Sequence, residues 1–187
     1  MTTIEETAGH VRTLPDLLRP GLDVVFVGIN PGTASARAGH YYAQRGNGFW
    51  QALSASGLVS EAMTYLDDAR LLEAGIGFTD VSKRVETDST KLSDTELREA
   101  EPAFRERIAG AQPHTVCFTG ARHFDVLFPG IREAHGWGAQ SVTLEGASVW
   151  VMPSTSGRAA AFRAEGARVL RELAIALGRA PAIEAAT

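Results

Sequence analysis

The chain has 187 residues, 44% hydrophobic and 21% charged, which is the make-up of one ordinary globular domain. Eighteen Lys and Arg against 22 Asp and Glu leave a net charge of −4, which argues against coating nucleic acid by bulk charge but allows a small basic patch. A single cysteine, Cys117, excludes an internal disulfide, a cysteine zinc site and an iron–sulfur cluster, and the five histidines lack HExxH or paired-ligand spacing, so neither a metal nor a cofactor is expected.

Residues Met1 to Asp16 carry Glu5, Glu6 and Asp16 with no apolar h-region, so no signal peptide is expected. No run approaches the roughly 18 apolar residues that span a bilayer, and a reducing, cytoplasmic setting is the expectation. Asp23-Val-Val-Phe-Val-Gly28 reads as a buried parallel strand ending at glycine. Residues 47–58 read as a helix with Phe49, Trp50 and Leu53 inward and Gly57 at its end. Ser93-Asp-Thr-Glu96 is a capping box, followed at helical spacing by Leu97, Phe104 and Ile108. His114–Thr119 is a second apolar strand, and a short helical pattern follows around Phe124 and Leu127. Two strands, 141–144 and 148–152, flank a hairpin turn at Glu145-Gly146. The last helix spans about Ala160 to Leu177, with Phe162, Val169, Leu170, Leu173 and Leu177 on one face, and the tail beyond Gly178 is expected to fray. Strands alternating with helices predict an α/β sheet covered on both faces, as one domain over 1–187 with its core at about 20–178.

In such sheets the working groups sit on loops at the carboxyl ends of strands. Gly28-Ile-Asn-Pro-Gly32 is a rigid turn that lets backbone approach a ligand, and its Asn can donate and accept. It matches neither GxxxxGK[ST] nor GxGxxG, so triphosphate or dinucleotide binding gains no support. Gly39-His-Tyr-Tyr42 and Gly46-Asn-Gly-Phe-Trp50 then place aromatic rings in a glycine-punctuated segment, either as packing or as a stacking platform for a flat base. Pro153-Ser-Thr-Ser-Gly-Arg158 opens the last helix with hydroxyls that serve equally for N-capping or for phosphate.

Together with Gly75-Ile-Gly-Phe-Thr-Asp80, these segments, in order over about residues 22–175, resemble the mismatch-specific uracil-DNA and thymine-DNA glycosylases. The resemblance implies an α/β/α sandwich with a mostly parallel sheet, which flips a base from duplex DNA and hydrolyses its N-glycosidic bond. It assigns Asn30 to positioning the attacking water, Tyr42 to stacking on the flipped base, and backbone near Ile29 and Tyr42 to reading its edge. Ser35 and Ser154 fall beside the base, and Ser156, Gly157 and Arg158 in the DNA, with Arg158 as a wedge. Arg158-Ala159 departs from the Gly-Leu-Ser version of this loop and follows that of the thymine-DNA glycosylases.

Asp80 holds a position where the family varies. A carboxylate there serves as general base, adding on the order of 10²–10⁴ in rate, with its pKa raised by nearby anionic DNA. Otherwise it caps a turn or pairs with Arg84. The chain has only two lysines, Lys83 and Lys91, and neither lies in a recognised motif, so a monofunctional enzyme is expected. The resemblance implies a monomer that meets duplex DNA with a mismatched or damaged base. Two other readings use the same loops: a glycosylase for deaminated purines such as hypoxanthine, and a non-catalytic module that binds nucleotides or lesions. The acid is unevenly spread: residues 28–50 and 157–187 each carry +2, whereas 51–80 carry −4.

Overall fold

The computed structural model describes residues 13–179. Chain order is β1 (Val24–Gly28), α1 (Thr33–Ala38), α2 (Phe49–Ser54), β2 (Ile76–Asp80), α3 (Asp94–Ala111), β3 (Thr115–Thr119), α4 (Ala121–Leu127), α5 (Ile131–His135), β4 (Gly138–Leu144), β5 (Ala147–Met152) and α6 (Arg163–Ala176). Short 3₁₀ segments at Tyr65–Leu72, Ser89–Lys91 and Gly157–Phe162 complete the set. The sheet order is β2-β1-β3-β5-β4, with only β4 antiparallel.

Alternation along the strands divides the core in two. Val24, Phe26, Ile76, Phe78, Cys117 and Met152 face one side, with residues of α2 and α6. Val25, Val27, Val116, Phe118, Val149 and Val151 face the other, with residues of α3 and α4. Both faces of the sheet are thus covered by helices, as the sequence pattern requires. The free edge of β2 is closed by a two-way backbone bond between Leu17 and Phe78.

The expected strands at 23–28 and 114–119 stand within one residue, and the Ser93–Glu96 capping box starts α3 as read. The β4–β5 turn has positive φ at both Glu145 and Gly146, the geometry a two-residue hairpin needs. Four expectations change. The helix expected over 47–58 contracts to Phe49–Ser54, because Asn47 Oδ1 caps the Phe49 N–H and Gly57 adopts φ +87°. β2, unassigned as a strand in the sequence, fills the edge beside β1. The last helix starts at Arg163 after a 3₁₀ segment that is non-helical at Ala159, and this turns Phe162 out to 51% exposure. Beyond Gly178, Arg179 is anchored to the Leu58 carbonyl and Asp23, while the rest of the expected frayed tail, 180–187, lies outside the described residues.

Candidate active site

The carboxyl ends of β1, β2, β3 and β5 converge on one pocket of about 160 Å³. Its floor follows from strand register: Gly28 pairs with Asp80, so the Asp80 side chain lies against the Gly28 backbone. A Cβ at position 28 would stand 2.3 Å from Asp80 Oδ1, so glycine here makes room for a carboxylate.

Asp80 is 4% exposed, its side chain makes no hydrogen bond to a described residue, and its Oδ2 is fully buried. Burial pushes its carboxyl up to about 7, with Lys83 and Arg107 pulling it down and Asp16 pushing it up. The protein interior therefore supplies the shift that the sequence reading ascribed to anionic DNA. The alternative pairing with Arg84 is also replaced: Arg84 reaches Glu96 at 2.5 Å and Glu86 at 3.7 Å instead.

Asn30 is fixed by its amide. Nδ2 donates to the carbonyls of Pro31 (3.0 Å), Arg84 (3.1 Å) and Glu86 (2.8 Å). Three acceptors on one side decide the amide orientation and leave Oδ1 with no hydrogen bond among the described residues, on the pocket wall. The carbonyls come from a strip that runs along the first loop through Val81 N–H to Gly28 O, Ser82 N–H to Ile29 O and Glu86 N–H to Pro31 O. Backbone atoms do this work, so no side-chain signal could have announced residues 84–86.

Both adjacent tyrosines reach the pocket lining, but they are held differently. Tyr41 is core, 2% exposed, its hydroxyl donating to Pro15 O. Tyr42 adopts φ +53°, which turns its ring onto Phe49 (centroids 4.2 Å, 23° between planes). Its hydroxyl meets Thr119 Oγ1 at 2.9 Å, while Thr119 Oγ1 donates to Val27 O and His123 Nε2 donates to the same carbonyl. Since the Thr119 proton is committed, Tyr42 is the donor in that pair. Burial pushes His123 down to about 4 and keeps it neutral at physiological pH. The sequence reading missed Thr119 and His123 in this role, since Val27 is 92 and 96 residues away from them.

The remaining expected residues divide. The Ile29 carbonyl is taken by Ser82, while the Ile29 and Tyr42 N–H groups have no hydrogen bond to a described residue. Ser35 is buried on the pocket side, and its Oγ accepts from Ala43 N–H, which ties the tyrosine loop to α1. Ser154 and Ser156 line the pocket mouth and bond to each other rather than capping a helix. Gly157 begins the 3₁₀ segment, so this loop does not open α6 as expected. Arg158 is 79% exposed and, among the described residues, is held only by Asp88 Oδ1 at 3.4 Å.

A family description, uracil DNA glycosylase superfamily, matches residues 15–178. In fold the chain is similar to a Methanosarcina acetivorans protein solved by NMR, which bears a provisional uracil DNA glycosylase name. The two share 24% identity and a TM-score of 0.53, over 87% of this chain and 98% of that one. The family match takes in every strand and every pocket-lining residue but Leu14, and the chain belongs to the uracil DNA glycosylase superfamily, as a DNA glycosylase.

Proposed function

We propose that the protein is a monofunctional glycosylase that removes uracil, best opposite guanine, from duplex DNA and leaves an abasic site. One observation carries the reading: Asn30 presents a fixed acceptor oxygen to the same pocket as the unpartnered carboxylate of Asp80. A water held on Asn30 Oδ1 attacks C1′ as the C1′–N bond breaks. The bonding pair leaves with the base, and the water proton passes to Asp80. In this reading the Ile29 and Tyr42 N–H groups, which have no hydrogen bond to a described residue, donate to the departing anion.

The flipped base stacks on the Tyr42 ring, which Phe49 supports from behind. A volume of about 160 Å³ lies below the roughly 300–1,000 Å³ of drug-sized sites and favours a one-ring pyrimidine over a purine. Arg158, loosely held at the mouth, fills the gap left in the stack, and Ser156 and Gly157 meet the backbone beside it. Lys83 is ion-paired to Asp16 at 2.8 Å, which supports the monofunctional reading because a paired ammonium is a poor Schiff-base nucleophile. We take the protein to act as a cytoplasmic monomer.

The test is excision from duplexes carrying G·U, A·U, G·T or I·T, followed by alkaline cleavage of abasic sites. Strand breaks are expected first at G·U, and Asn30→Ala should lose cleavage while retaining binding. Binding with no break on any duplex would replace the enzyme by a lesion-binding module. A preference for I·T would replace uracil by a deaminated purine.

A further inference from the structure

Behind the pocket floor lies a charge cluster that the proposed chemistry leaves unused. Asp16, on the segment that closes the edge of β2, gathers a hydroxyl and two cations around its carboxylate. Thr79 Oγ1 donates to its Oδ1 at 2.6 Å and Lys83 Nζ to the same oxygen at 2.8 Å. Arg107 Nε stands 3.2 Å from Asp16 Oδ2, an ion pair by distance without hydrogen-bond alignment. The Arg107 Nη2 group goes to the backbone carbonyls of Asp80 and Val81, at 2.7 and 3.3 Å. Both cations are thus close to Asp80, yet neither touches its carboxylate.

The other groups facing Asp80 cannot take over. Tyr41 and Tyr42 are held neutral by burial. Glu86, on the pocket wall, is itself matched by Arg84 and Lys91, each at 3.7 Å. A buried carboxylate with two cations near by ordinarily captures one of them, and a captured carboxylate is a poor base because its lone pairs are occupied and its pKa is low. Something must hold the cations back.

We propose that Asp16 is a positioning residue that holds Lys83 and Arg107 off the Asp80 carboxylate, keeping that carboxylate free to accept a proton at neutral pH. The catalytic half of this inference rests on the proposed role of Asp80 as base, and the experiment separates the two. The Asp80 side-chain carboxyl is titrated by ¹³C NMR in the free full-length protein, and single-turnover excision from a G·U duplex is followed over the same range, from about pH 5 to pH 9. Asp16→Asn keeps an acceptor for Thr79 but releases the cations, and the Asp80 midpoint should fall. Lys83→Met removes a cation, and the midpoint should rise. Lys83→Arg should restore it.

A displacement of about half a pH unit changes the excision rate at pH 6 by about threefold, upward in Asp16→Asn and downward in Lys83→Met. A merely structural role would lower the rate plateau in both variants with the midpoints unmoved. An unmoved Asp80 midpoint in Asp16→Asn, or movement in the same direction in both variants, overturns the inference. Opposite NMR shifts with an unmoved acid limb of the rate would instead remove Asp80 as the base and leave the charge control standing. Should Asp16→Asn fail to fold, the Lys83→Met and Lys83→Arg titrations decide alone.

Discussion

Replacing Gly28 by alanine adds one methyl group at the point where β1 and β2 bring backbone and carboxylate together. That methyl carbon would lie 2.3 Å from Asp80 Oδ1, against 3.4 Å or more for ordinary contact. The carboxylate must therefore retreat by about 1 Å, into a site where its other oxygen is already fully buried. Overpacking of this size costs about 1–3 kcal/mol of stability, which lowers the melting temperature by several degrees in a domain of this length. Displacing a reacting group by 1 Å costs about 10²-fold in rate. The expectation is a folded Gly28→Ala protein whose single-turnover excision from a G·U duplex falls about 100-fold, with duplex affinity retained. Near-normal excision, with a melt showing the clash has been absorbed, would refute the placement of Asp80 as the base.

Further outcomes follow from the site. Excision should rise with pH through a midpoint near 7, and Asp80→Asn should flatten the profile; an unchanged profile in the variant removes Asp80 from the mechanism. The native state keeps a proton on Asp80 that the unfolded chain releases near pH 4, so stability falls as pH rises from about 4 to 7, by about 4 kcal/mol in all. Thermal melts should accordingly show Asp80→Asn more stable than the parent at pH 8, the gain shrinking toward pH 4. Asn30→Asp should melt below Asn30→Ala, because it turns an anion toward three carbonyls where the alanine merely vacates them. Tyr42→Phe forfeits only the bond to Thr119 and should cost about 0.5–1.5 kcal/mol in a melt, whereas Tyr42→Ala should weaken lesion binding by about 1–3 kcal/mol in a titration. Arg158→Ala should reduce the slope of log binding against log salt by about 1 and slow excision at paired A·U more than at mismatched G·U.

Much of the frame is legible in the residues. β1, β3 and β5 are apolar, β-branched runs because both their faces are covered, and Ser93 with Glu96 marks a helix start by pure local chemistry. β2 escapes for a physical reason. Gly77 stands in it because a side chain there would meet the Leu17 carbonyl and Leu22 at 2.6 and 2.5 Å, and the strand ends in Thr79 and Asp80, whose polarity belongs to the site. α1 escapes too, since Thr-Ala-Ser-Ala-Arg-Ala offers no large apolar stripe to count. At the site, composition singles out the tyrosine pair, but the choice between Tyr41 and Tyr42 turns on a positive φ that no local pattern announces. Thr119, His123, Asp16 and Arg107 act only through partners far along the chain, which topology brings together and spacing cannot reveal.

The same folding-together explains how a chain of net charge −4 serves a polyanion. Much of the surface charge is cancelled in place: Arg168 between Glu165 and Glu172, Arg105 between Glu101 and Glu145, Arg132 on Asp125. Asp68, with its oxygens on Tyr41 N–H, Ala69 N–H and His40, is spent inside the fold, shaping the loop that carries Tyr42. Close pairs of opposite sign cast little field beyond a Debye length, so net charge says little about what an approaching duplex meets. Among the described residues Arg158 has one partner, Asp88 at 3.4 Å, and Arg163, which lines the neighbouring cleft, has the Gly46 carbonyl. Asp80 adds little opposing charge there, since burial leaves it about half protonated at neutral pH. In the proposed function, the burial that suits Asp80 to act as base also mutes its repulsion of phosphate, and a few loosely held arginines give a small footprint on DNA.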